Sequence, residues 1–147
     1  MRILLINGPN LNTLGQREPE VYGKMTLAEI EGHAQEKAQA LGVELRTFQS
    51  NLEGAIIDFI QAEGPSAAGI IINPGALSHY SLALRDALAA SGLPAIEVHI
   101  SNIYGREKFR RRSVTADVCR GLIAGLGWRG YVAAVEALVE MLQEPAG

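Results

Sequence analysis

A chain of 147 residues with 48% apolar residues has material for one buried core, so residues 1–147 are expected to form a single domain. A formal net charge of −3 and a pI near 5.6 give no general pull toward nucleic acid or anionic lipid. Cys119 is the only cysteine, which excludes an intrachain disulfide and a cysteine-cluster metal site.

The first apolar run, Ile3-Leu4-Leu5-Ile6, is a strand predicted over residues 2–6. Four apolar residues ending at Asn7 are too short for a signal peptide or a membrane span, so a soluble, cytoplasmic protein is expected. The strand empties into a loop of about seventeen residues, Asn7-Gly8-Pro9-Asn10-Leu11-Asn12 and then Leu14-Gly15-Gln16-Arg17-Glu18-Pro19-Glu20-Val21-Tyr22-Gly23. Unstructured connections of that length usually serve as lids or binding loops. Arg17 and Tyr22 are loop neighbours around Pro19. A phenol is a poor base at neutral pH, but a guanidinium nearby favours its anion.

A helix follows over residues 27–41, opened by Thr26 with Glu29 three residues on and stopped at Gly42. His33, beside Gly32 and Gln35, reads as part of its solvated face. A second strand spans 43–48, a helix 52–63 ends at Gly64-Pro65, and a third strand spans 69–73. Asn73-Pro74-Gly75-Ala76-Leu77-Ser78-His79 then leads to a helix over 81–91, with His79 at its entrance and Gly92-Leu93-Pro94 at its end. A fourth strand, 95–98, runs into Glu97-Val98-His99-Ile100-Ser101-Asn102. Glu97 and His99 share a strand face, so the carboxylate can orient the imidazole as a general acid requires.

Arg106, Lys108, Arg110, Arg111 and Arg112 place five of thirteen basic residues within seven positions. The acidic overall balance and the lone aromatic Phe109 argue for a solvated or subunit-facing surface, with one cation free to close over a polar small molecule. A fifth strand, 121–124, and a helix over 131–143 complete the chain before a loose tail, 144–147. Three histidines and one cysteine, widely spread and without HExxH, point to no metal.

Five strands alternating with helices predict an α/β, flavodoxin-like fold: a parallel sheet in the order 2-1-3-4-5 with helices on both faces. Ligands in such sheets bind beyond the carboxyl ends of the strands where the order reverses, so the clusters after the first, third and fourth strands should converge. A receiver-type signalling domain of this topology needs acidic residues where this chain has Asn7 and Asn73. A flavin carrier needs a hydroxyl- and glycine-rich phosphate loop, which Pro9 and Pro19 do not supply.

The motifs NGPNLN, LGxREPxxYG, Asn73-Pro74-Gly75-Ala76, Ala83-Leu84-Arg85-Asp86-Ala87, Glu97-Val98-His99-Ile100-Ser101-Asn102, Arg106-Glu107-Lys108-Phe109-Arg110 and Gly125-Leu126-Gly127 occur in this order along nearly the whole chain. In these motifs the chain resembles type II 3-dehydroquinate dehydratase. That family often has Thr where Ser78 stands, and the position of Tyr80 varies; both departures bear on pocket detail. The resemblance implies conversion of 3-dehydroquinate to 3-dehydroshikimate in the shikimate pathway, by anti elimination through an enolate, without cofactor, metal or covalent intermediate. It assigns the base to Tyr22, the neighbouring cation to Arg17, enolate stabilisation to Asn10 and the acid to His99. Asn73, Ile100 and Ser101 would take the substrate carboxylate, and His79, Asp86 and Arg110 the ring hydroxyls. It also implies a dodecamer of four trimers in which Asp86 serves a neighbouring subunit.

Overall fold

Ile3 and Leu5 face one side of a sheet while Leu4 and Ile6 face the other, all four fully buried, because side chains alternate along a strand. The computed structural model describes residues 1–145. Its elements run β1 (Arg2–Asn7), α1 (Pro19–Tyr22), α2 (Leu27–Ala40), β2 (Glu44–Gln49), α3 (Glu53–Glu63), β3 (Gly69–Asn73), α4 (Leu82–Ser91), β4 (Ala95–His99), β5 (Gly121–Ala124) and α5 (Arg129–Gln143). The five strands form one parallel sheet in the order β2-β1-β3-β4-β5, the expected flavodoxin-like topology. All five predicted strands and four longer helices are present, with ends shifted by up to two residues. Of the expected tail, Glu144 and Pro145 are exposed, and positions 146 and 147 lie outside the described residues.

Two apolar layers cover the sheet. Ile3, Leu5, Ile71, Ile96 and Val98 pack against Ile30 and Ala34 of α2 and Val135 and Leu138 of α5. Leu4, Ile6, Ile70 and Ile72 pack against Ile56, Phe59 and Ile60 of α3 and Leu84 and Leu88 of α4. Central strands buried on both faces explain the unbroken apolar runs in β1 and β3. At the start of α2, Thr26 accepts a hydrogen bond from the Glu29 N–H at 3.2 Å, as its spacing predicts.

Two expectations need correcting. The loop after β1 is not unstructured: a 3-10 turn (Leu11–Thr13) and the single helical turn α1 lie within it. Leu11 and Leu14 are buried in the core, so apolar burial pins the first half of the loop. His33 does not sit on a solvated face. Its ring is half-buried and stacks on Trp128 with centroids 4.2 Å apart, a tertiary contact that helical spacing cannot reveal.

The loops after β1 and β3 meet at the carboxyl edge of the sheet. The Gly8 N–H donates to the Asn73 carbonyl at 2.8 Å, and a Cβ on Gly8 would stand only 2.5 Å from the Pro74 carbonyl oxygen. Gly75 has φ +59°, and a Cβ there would lie 3.1 Å from the Pro9 carbonyl oxygen. Only glycine permits both the close approach and the left-handed turn without strain. These contacts fix one wall of the site.

Candidate active site

The loops after β1, β3 and β4 enclose a cleft with a free volume of about 480 Å³ including its mouth. Its walls bring together Asn10, Arg17, Tyr22, Asn73, His79, His99, Ile100, Ser101 and Arg110, nine of the eleven residues singled out from sequence. Glu97 lies behind His99, and Asp86 stands exposed on α4, away from the cleft of its own chain.

Tyr22 ends α1 and is half-buried. Arg17 donates to its phenol oxygen at 3.3 Å, and its guanidinium carbon lies 4.5 Å from the ring centre. A second guanidinium is closer. Arg106 donates to the same oxygen at 2.8 Å and to the Ser101 hydroxyl at 3.3 Å. Two guanidinium groups thus converge on one phenol oxygen. The sequence reading left Arg106 within the basic stretch. Its inclusion in the motif Arg106-Glu107-Lys108-Phe109-Arg110 was the one available signal, since 84 residues separate it from Tyr22.

In the same cleft, His99 ends β4. Its Nε2 donates to a Glu97 carboxylate oxygen at 2.8 Å, and Glu97 is fully buried. The Ser113 hydroxyl donates to that same oxygen at 2.7 Å, while Thr115 donates to the other oxygen. A buried carboxylate needs such donors, and this one has three. Glu97 thereby sets which imidazole nitrogen carries hydrogen toward the interior. Ser113 and Thr115 escaped the sequence reading because nothing local marks a Ser-x-Thr pair that lies beneath a strand eighteen residues away.

The remaining polar groups each have a partner of their own. His79 Nδ1 donates to the Arg112 carbonyl at 2.8 Å, so the ring is oriented from outside the cleft. Its ring centre is 6.4 Å from that of His99. Asn10 has a left-handed backbone, φ 71°, which asparagine tolerates, and its N–H donates to the Asn51 side chain at 2.9 Å. Arg110 pairs with Glu107, and the arginine bond holds that carboxyl below its usual range. Cys119 offers no nucleophile: burial, followed by the Glu97 charge, pushes its thiol up to about 12. Among the described residues no group of three or more His, Cys, Asp or Glu could hold a metal ion, and no helix is long and apolar enough to cross a membrane.

The sequence profile of the family described as dehydroquinase class II matches residues 1–139. The chain is 66% identical over 139 residues to the 3-dehydroquinate dehydratase of Roseiflexus castenholzii, covering 95% of this chain and 88% of that protein. It is 58% identical over 143 residues to the enzyme of the same name from Bacillus cereus, covering 97% and 98%. The crystal structure of the type II dehydroquinase from Butyrivibrio crossotus superposes with a TM-score of 0.92 at 49% identity, covering 94% of this chain and 97% of that one.

Proposed function

The chain belongs to the class II dehydroquinase family, and from that footing we propose that it dehydrates 3-dehydroquinate to 3-dehydroshikimate by anti elimination, as a cytoplasmic enzyme of the shikimate pathway. The observation that carries the mechanism is the presence within one cleft of a phenol held by two guanidinium groups and an imidazole backed by a buried carboxylate. The Tyr22 phenolate takes the proton alpha to the ketone. The electron pair left behind forms an enolate, and donors around Asn10 stabilise its oxygen. As the enolate collapses, the beta carbon–oxygen bond breaks and His99 delivers a proton to the departing hydroxyl, which leaves as water. Glu97 steadies the imidazolium before that transfer. Asn73, Ile100 and Ser101 receive the substrate carboxylate, and His79 and Arg110 contact the ring hydroxyls. Every step is a proton transfer or a bond cleavage that these side chains supply.

Tyr22 stands on the exposed half of the loop after β1, so the segment carries the base into the cleft as a lid. The direct test adds 3-dehydroquinate and follows the ultraviolet absorbance of the conjugated enone product. Absorbance should rise without added metal or nucleotide. Borohydride added with substrate should leave activity intact, because no imine forms. A reduced lysine adduct detected by mass spectrometry would overturn the non-covalent route.

The same reading makes the working unit a dodecamer of four trimers. Asp86 supports it: the residue is exposed on α4, with exposed Leu82 four residues earlier on the same helical face and exposed Tyr80 just before it. A neighbouring copy that covers those apolar groups would receive Asp86 into its own cleft. Asp86→Ala should therefore weaken assembly or lower kcat/KM. Gel filtration and steady-state kinetics decide, and an unchanged oligomer with unchanged kcat/KM removes Asp86 from the site.

A further inference from the structure

Tyr131, on the first turn of α5, is fully buried, yet its hydroxyl touches two asparagines at the ends of neighbouring strands. Asn7 ends β1 and Asn73 ends β3, and the two pair in register at the point where strand order reverses. The Tyr131 hydroxyl donates to Asn7 Oδ1 at 2.7 Å and accepts from Asn73 Nδ2 at 2.8 Å. Asn73 Oδ1 in turn accepts from the Gly75 N–H at 3.1 Å. The result is a one-way relay of donors from Gly75 through Asn73 and Tyr131 to Asn7.

We propose that Tyr131 is a positioning residue for substrate, setting the direction of the Asn73 amide and so the donor that Asn73 offers to the substrate carboxylate. The inference rests on the reading that Asn73 takes that carboxylate. A primary amide has nearly the same shape in either orientation, so packing alone barely distinguishes its oxygen from its nitrogen. The phenol makes the distinction. Its single hydrogen is committed to Asn7, so it presents only a lone pair to Asn73, and Nδ2 must face it. The Gly75 N–H fixes the other end. The second Nδ2 hydrogen is then left for the cleft, which Asn73 lines.

Asn7 is the sign that direction matters here. Its Nδ2 is buried without a partner, an uncompensated burial that an apolar residue of similar shape would remove. The amide is explained by the acceptor at its other end, which orients the phenol hydrogen. Burial raises the Tyr131 hydroxyl well above its ordinary range, and the Asn73 bond only partly opposes this. The proton that defines the relay therefore stays in place at any working pH.

The test compares Tyr131→Phe, Asn73→Ala, Asn7→Leu and the double variant Tyr131→Phe/Asn73→Ala, with initial rates over a range of 3-dehydroquinate and a thermal melt for each. Asn73→Ala should raise KM by about tenfold, the usual scale for losing a hydrogen bond to a charged group, with little change in kcat. Tyr131→Phe should raise KM several-fold in the wild-type background and not at all in the Asn73→Ala background. Asn7→Leu removes the orphaned donor and frees the phenol hydrogen to turn toward Asn73. It should melt no lower than wild type and still raise KM, a combination that a purely structural role does not produce. If Asn73→Ala raises KM while Tyr131→Phe and Asn7→Leu leave it at the wild-type value, the positioning role fails and the assignment of Asn73 stands. An equal effect of Tyr131→Phe in both backgrounds also overturns it. If Asn73→Ala itself leaves KM unchanged, the carboxylate assignment falls and this inference falls with it. Should Tyr131→Phe not fold, Asn7→Leu alone decides between these outcomes.

Discussion

Tyr22→Phe should fold normally and lose roughly two to four decades of kcat, the usual contribution of a positioned general base. The substitution keeps the ring under the Arg17 and Arg106 guanidiniums and removes only the oxygen that both contact. A half-buried hydroxyl near the surface contributes little to stability, so circular dichroism and melting should stay close to wild type. The arginines provide an internal control. Arg17→Ala and Arg106→Ala each leave one guanidinium on the phenol, so each should slow the reaction less than Tyr22→Phe does. Losing both should approach it, because the oxygen then has no cation to hold its charge. A folded Tyr22→Phe protein with near wild-type kcat would sink the assignment of the base.

His99→Ala should cause a loss of similar size for a different reason, and isotope exchange separates the two. Without the acid the hydroxyl must leave as hydroxide, and elimination stalls after the enolate has formed. The enolate then takes a proton back. In deuterated water, recovered substrate should therefore acquire deuterium at the alpha carbon with His99→Ala and stay unlabelled with Tyr22→Phe. Glu97→Gln should resemble His99→Ala in milder form. Its amide oxygen can still accept from His99 and Ser113, but it carries no charge to steady the imidazolium, and it turns an N–H toward the Thr115 hydroxyl. Labelled substrate from Tyr22→Phe, or near wild-type kcat from His99→Ala, would mean that the two proton transfers have been assigned to the wrong residues.

The sequence made the sheet readable because its strands are short, apolar and punctuated. Ile70-Ile71-Ile72 ending at Asn73-Pro74-Gly75 admits few other readings, and α2 and α4 stop at Gly42 and Gly92, whose backbone is left-handed. From alternation alone, strand order and the converging loop clusters followed. Groups contributed across long separations stayed hidden. Arg106 reaches Tyr22, Ser113 and Thr115 reach Glu97, and Tyr131 reaches Asn7 over 124 positions. None of these contacts leaves a local period or a cap signal. Each is set by how layers stack after the strands have paired, so burial and hydrogen-bond satisfaction decide them rather than propensity. His33 misled for the same reason, since its partner Trp128 lies on another element.

The proposed acid and base stand on ground of very different firmness. His99 ends a central strand, and its carboxylate partner is fully enclosed, whereas Tyr22 ends a single half-exposed turn that is only partly buried against the core in which Leu11 and Leu14 are sunk. The spacing between them is therefore a probability as well as a distance. If Tyr22 is the base, turnover should scale with the fraction of time the turn is docked, and a tenfold fall in that fraction would look, in a rate measurement, like tenfold weaker chemistry. Substitutions at Leu14, far from any reacting atom, would pass for catalytic defects. By the same arithmetic, a molecule that held the turn undocked would inhibit without occupying the place of the substrate.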